Sequence, residues 1–187
     1  MNAASDQREP QTRSITQRHW PAYLLLVVGL AAILAGLIWQ VAHSRAVVAT
    51  RLDKDALGLP RQLAGQPVSD FQTGTAALNT IEAMHGKGFA LVGGAVAHYG
   101  ATTVWVAQAR DEAEAKSMTA AMRDRIAAGR SPFSPTGTRQ AGGRTIYMLT
   151  GMGQAHFYWQ AGDKVIWLAA APAEAEGALQ ELVRAVH

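Results

Sequence analysis

The chain has 187 residues, of which 49% are hydrophobic and 17% are charged, and this composition excludes a wholly disordered protein. It contains no cysteine, so disulfide bonds, thiolate metal centres and a cysteine nucleophile are excluded. Seventeen lysine and arginine residues against 14 acidic residues give a net charge of +3. The basic residues are scattered along the chain, which argues against binding to nucleic acid.

The first predicted element is a transmembrane helix over residues 20–42, a segment without a single charged residue. At 1.5 Å per residue such a helix reaches roughly 34 Å, enough to cross the hydrocarbon core of a bilayer. The polar residues 1–19 before it are predicted to be a disordered tail. The sequence therefore predicts a single-pass anchor in the cell membrane, with the lipid bilayer as its first partner.

The orientation of this anchor rests on chain organisation, because similar numbers of basic residues flank the span. A short tail followed by one span and one large domain favours an extracytoplasmic C-terminal domain. Within the span, Ala32 and Gly36 are four residues apart, the spacing of small residues at helix–helix contacts. They predict a homodimer, although alanine and glycine are also simply common in transmembrane helices.

Residues 43–72 are predicted to extend the helix and then form a linker, because prolines and glycines accumulate from residue 58 onward. The folded domain is expected over residues 73–187. Its first helix begins near Thr75 and ends at Gly86.

Strands are predicted at 89–99 and 102–109, followed by a helix over 111–128 with Asp111 as its N-cap. A meander then uses the turn glycines Gly142 and Gly143, and Pro172 introduces the last helix. The meander strands are expected over 144–150, 154–160 and 164–170. This order predicts an α+β domain of two layers, a mostly antiparallel sheet with its helices on one face.

No motif of a known catalytic class accompanies this fold: G-x-S-x-G, H-E-x-x-H and S-x-x-K are all absent from the sequence. The acidic residues of the domain fall on predicted helix surfaces and in turns, where solvated charges are normally found. We therefore expect neither an enzyme nor a cofactor.

The unusual feature of the domain is the number of aromatic residues on its predicted strands. Because strand residues alternate between faces, Phe157 and Trp159 share one face while His156 and Tyr158 share the other. We expect the first pair to meet the helices and the second to lie on the open face of the sheet. An open face with tyrosine and histidine can bind a ligand or a partner protein, or can simply tolerate amphipathic aromatics. The predicted binding residues are His98, Tyr147, His156 and Tyr158.

These features predict a membrane-anchored, non-catalytic binding or accessory domain that contacts a ligand or a membrane protein complex through its aromatic sheet face. The alternative is a metal-handling protein of copper type or a redox accessory protein, because imidazole and thioether are ligands that copper accepts. The residues available for such a site are His85, His98, Met152 and His156.

Overall fold

The structure, a computed structural model, describes residues 57–85 and 89–186, together with the isolated residues Gly36 and Gln40. The chain divides into two compact units, residues 1–42 and 43–187. Gly36 and Gln40 have helical backbone. The rest of the predicted tail and membrane span, Ala32 included, lies outside the described residues. Among the residues that are described, no helix combines the length and the apolar character needed to span a bilayer.

The second unit contains nine described strands and three described helices. The strands are β1 (Gln62–Leu63), β2 (Gln66–Pro67), β3 (Asp70–Thr73), β4 (Gly93–Tyr99), β5 (Thr102–Gln108), β6 (Ser134–Ala141), β7 (Arg144–Gly151), β8 (Gln154–Ala161) and β9 (Lys164–Ala170). The helices are α1 (Gly74–His85), α2 (Glu112–Ala127) and α3 (Ala175–Ala185).

Seven of these strands form one antiparallel sheet in the order β3-β4-β5-β9-β8-β7-β6, and β1 pairs separately with β2. The predicted α+β class with a mostly antiparallel sheet is therefore confirmed. The predicted turn at Gly142 and Gly143 joins β6 to β7, and both residues have positive φ, +57° and +73°, as a type I′ hairpin requires. The cap of α2 is also as predicted, since the Asp111 carboxylate accepts a 2.8 Å hydrogen bond from the backbone N–H of Glu114.

The two faces of the sheet are covered by different elements. One face, which we call the α3 face, carries Trp159, Leu168 and their neighbours, and they pack in one cluster with Leu179 and Leu182 of α3. The opposite face, the α1/α2 face, packs against Ala77 and Ile81 of α1 and against Ala115 and Met118 of α2. The prediction of two layers with all helices on one face is therefore wrong. Both faces of the sheet are apolar, so each must be covered, and the chain divides its helices between them.

The segment expected to be a linker contributes to this core. Leu63 and Val68 are buried in the cluster on the α3 face. The Tyr99 hydroxyl donates a 2.6 Å hydrogen bond to the Pro60 carbonyl, and the Ala64 N–H donates a 2.9 Å bond to the Glu181 carboxylate. Burial raises the pKa of Tyr99 well above its ordinary value, so this hydroxyl stays a donor. The described fold thus begins before residue 73.

Candidate functional site

A row of four aromatic side chains crosses the α1/α2 face. Trp105 on β5 pairs with Trp167 on β9, which pairs with Tyr158 on β8, which pairs with Tyr147 on β7. Directly paired residues project to the same side of a sheet, so the four rings line up across four strands. The Trp167 and Tyr158 rings lie 5.4 Å apart and the Tyr158 and Tyr147 rings 4.7 Å apart, both pairs within 11° of parallel. We call this set the aromatic row.

Tyr158 is inside this row and not on an open surface. Its side chain is only 1% exposed, and α2 covers it through Ile126. Burial raises the pKa of Tyr158 to about 12, so the phenol remains protonated at neutral pH. The expectation that His156 and Tyr158 lie on an uncovered sheet face is therefore wrong. The alternation that separates them from Phe157 and Trp159 is correct, but a second apolar layer covers their side as well.

His156 is held in one tautomer by two hydrogen bonds. The indole N–H of Trp167 donates to His156 Nδ1 at 3.1 Å, and His156 Nε2 lies 3.0 Å from the Gly151 carbonyl oxygen. Because Nδ1 accepts, the ring hydrogen is on Nε2 and is donated to Gly151. Burial lowers the pKa of His156, against a smaller opposing effect of the bond to Gly151. The imidazole is therefore neutral and fully hydrogen-bonded.

The α1/α2 face retains a cleft of about 320 Å³ over part of the aromatic row. The sheet side of the cleft is lined by Trp105, Trp167 and His156. Phe133 packs against two of them: its ring centre lies 4.6 Å from that of His156 and 5.0 Å from that of Trp167. The other residues that line the cleft come from α1, α2, the loop before β6 and the β7–β8 turn: Met84, Met122, Arg125, Ile126, Arg130, Ser131, Pro132, Met152 and Gln154.

Two large apolar side chains are exposed at this cleft. Met84 is 50% exposed and Met152 is 79% exposed. Met152 also has a φ of +52° and is followed by Gly153 at +76°, a turn in which asparagine and glycine are the favoured residues. A methionine at this φ has a strained backbone, and its side chain lines the cleft. Strain of this kind is often found at functional sites.

The residues predicted for binding and metal ligation are not brought together by the fold. Of the four predicted binding residues only His156 lines the cleft, while Tyr147 lies at the far end of the aromatic row. His98 occupies β4 and hydrogen-bonds Thr103 at 3.0 Å. Strands β5 and β9 separate it from His156, a distance of three strand spacings or about 14 Å.

The predicted metal site is affected by the same separation. Met152 and His156 line the same cleft, but His98 is too far away to join them. His85 ends α1, and its side chain lies outside the described residues. The part of the chain that the structure describes contains no group of three or more histidine and acidic side chains able to hold a metal ion.

Several residues of the cleft carry no signal that a single sequence reveals. Trp105 and Trp167 are visible as aromatic strand residues, but their meeting depends on the pairing of β5 with β9. Phe133 lies between two prolines in a loop, a composition that indicates only an irregular segment.

Comparison with known proteins adds no further information about the cleft. No family model, no curated protein and no solved structure matches the chain. The candidate site is therefore defined by its own geometry.

Proposed function

We propose that this protein is a membrane-anchored, non-catalytic binding domain that holds its ligand or partner in the cleft over Trp105 and Trp167. One observation carries the proposal: a largely apolar cleft of about 320 Å³ lies over two half-buried tryptophans. Its size falls within the 300–1,000 Å³ range of small-molecule sites, and aromatic side chains are frequent in such sites. The strained and exposed Met152 supports the same location.

The binding role is tested by filling the cleft. The probe is decanol carrying a diazirine, photoactivated with full-length protein in its membranes, and the labelled peptides are identified by mass spectrometry. Labels are expected on the 130–133 loop and the β7–β8 turn. Met122→Trp replaces a flexible thioether with a bulky indole ring that fills the cleft from α2, and it is expected to abolish these labels. Ala121→Trp, at an exposed position of the same helix, is the matched control and should keep them.

The membrane anchor is a proposal that rests on the uncharged segment 20–42. The chain is expected to stay in the membrane pellet after alkaline carbonate and to be released by detergent. Full-length protein in the carbonate supernatant would contradict the anchor. A reporter that is active only outside the cytoplasm, fused after His187, is expected to be active. Activity from a cytoplasmic reporter alone would reverse the orientation.

A second candidate function is copper handling, which the methionines of the cleft favour. Three thioethers, those of Met84, Met122 and Met152, line the same cleft, and thioethers are ligands for copper(I). Since both nitrogens of His156 are already hydrogen-bonded, copper would be held mainly by sulfur. Titration with copper(I) against a colorimetric chelator decides this. Stoichiometric binding that is lost in Met152→Leu supports the copper function, and no binding excludes it.

A further inference from the structure

We propose that the ligand of this cleft is a single-chain amphipathic anion, a medium-chain carboxylate, with its chain on Trp105 and Trp167 and its headgroup at Arg125 and Arg130. The inference rests on the proposed binding function of the cleft and specifies the class of ligand. Three properties of the cleft carry it: the charge of its lining, the pairing of its arginines and its size.

The lining of the cleft has charge of one sign. It includes Arg125 and Arg130, and no aspartate or glutamate is among its described lining residues. Glu82 lines the small adjoining cavity, which shares Trp105, Met122 and Trp167 with the cleft. An arginine guanidinium matches a carboxylate because its parallel N–H groups donate to both oxygens. Tryptophan faces also attract cations, but the two arginines would repel a cationic ligand.

Arg125 and Arg130 are exposed and, unlike three other arginines of the domain, have no carboxylate partner among the described residues; Arg144 and Arg184 share this property, donating to the carbonyls of Val183 and Gln180. Arg110, Arg123 and Arg139 pair with Glu114, Asp124 and Glu176 at 3.1, 2.8 and 2.9 Å. Arg125 instead donates from Nε to the backbone carbonyl of Arg130 at 3.2 Å. Within residues 57–85 and 89–186, no carboxylate forms an ion pair with either Arg125 or Arg130. The guanidinium charge at this cleft is therefore not neutralised by the described protein.

The size of the cleft sets the length of the apolar part. At about 320 Å³, the cleft lies at the lower end of the 300–1,000 Å³ range of small-molecule sites. The sheet side offers the two tryptophans, and Met122 and Phe133 continue the apolar surface. From this size we infer a single chain of medium length rather than a two-chain lipid.

The test compares three photoreactive probes that share one ten-carbon chain: the carboxylate, the alcohol and the trimethylammonium. Each is added to full-length protein in membranes, and labelling of the 130–133 loop and the β7–β8 turn is quantified. We expect the carboxylate to label at a concentration at least about tenfold lower than the alcohol, since charge-assisted hydrogen bonds are the stronger ones. The trimethylammonium probe is expected to label least.

Substitutions of the two arginines test whether the headgroup of the ligand binds at Arg125 and Arg130. Arg125→Gln combined with Arg130→Gln is expected to remove the preference for the carboxylate while keeping the labelling by the alcohol. Arg184→Gln, an exposed arginine on α3 that does not line the cleft, is the control and should keep the preference. Because the alcohol reports on the cleft itself, a misfolded variant is recognised by loss of both labels, and the single variants Arg125→Gln and Arg130→Gln then replace it.

The possible outcomes separate the ligand class from the binding function of the cleft. Equal labelling by carboxylate and alcohol in the native protein overturns the anionic ligand and leaves the binding cleft intact. A carboxylate preference that survives the double substitution places the headgroup elsewhere and also overturns the inference. Absence of labelling by all three probes removes the proposed cleft function together with the inference.

Discussion

The two faces of the sheet are formed by the same strands but differ in how completely their aromatic side chains are buried. On the α3 face, Trp159 is 0% exposed and packs among aliphatic residues of α3 and of the segment before β3. On the α1/α2 face, the aromatic row is buried at Tyr158 but remains half-exposed at Trp105 and Trp167. The first face is therefore closed over its centre, although Met148 and Ala155 on it are only partly buried, and the second remains open at two tryptophans.

The difference follows from what covers each face. The α3 face receives one strongly amphipathic helix together with the β1–β2 hairpin, and the two meet through the hydrogen bond between Ala64 and Glu181. The α1/α2 face receives two helices that pack on different parts of the sheet, α1 on β3 and β4 and α2 on β9, β8 and β6. Trp105 and Trp167 remain partly uncovered. An incompletely covered face can bind a ligand without unfolding the domain, because its partly exposed residues contribute less to stability.

The largest expected effect tests the closed face. Trp159→Ala should lower the free energy of unfolding by about 3–5 kcal/mol, because it removes a fully buried ring. All three core clusters lie within residues 57–186, so denaturant unfolding of residues 43–187 is the measurement. The indole N–H of Trp159 has no hydrogen-bond partner among the described residues. Trp159→Phe keeps a ring and removes this N–H, and is expected to cost much less.

The next effect tests whether the second face is buried beneath α2. Tyr158→Ala should cost about 3 kcal/mol, because the ring is 1% exposed and stacks on both sides. Tyr147→Ala, at the half-buried end of the row, should cost about 1 kcal/mol in the same unfolding assay. If Tyr158→Ala costs no more than Tyr147→Ala, the α1/α2 face is open in solution. The difference between the two faces would then be much larger than the structure indicates.

The pH dependence of stability tests whether His156 is buried as a neutral ring. Its pKa is lowered in the folded state by burial, so the unfolded chain binds this proton more readily. The stabilisation is complete above about pH 6.5, the unfolded value, and is lost as the pH falls below it toward the lowered folded pKa. Urea unfolding at pH 7.5 and 5.5 should show a larger loss in the native protein than in His156→Gln. Equal losses would show that His156 is not buried as a neutral ring.

The smallest effect, and one of opposite sign, is expected at the edge of the cleft. Met152→Asn should raise the free energy of unfolding by about 0.5–1 kcal/mol, because asparagine tolerates the positive φ at this position. The same substitution should weaken labelling by the decanol probe, since it removes an apolar side chain from the cleft. A stability gain without loss of labelling would show that Met152 contributes only strain.

Much of the local structure could be predicted from the sequence. The Gly142–Gly143 turn, the Asp111 cap and the strands on either side of Gly100 are each determined by neighbouring residues. Such features depend on backbone conformations that only certain residues favour, so they can be recognised within a few positions. The separation of His156 and Tyr158 from Phe157 and Trp159 followed from the two-residue period of a strand.

The covering of the two faces and the cleft depended on contacts between distant segments. The row from Trp105 to Tyr147 exists because β9 pairs with both β5 and β8, a strand order that no local signal specifies. The amphipathic pattern of α3 shows that it buries one side, but not against which face of the sheet. Five separate stretches of the chain form the cleft: Met84, Trp105, 122–133, 152–156 and Trp167. Their meeting is a property of tertiary packing, in which each apolar surface is covered by whichever element the topology brings near it.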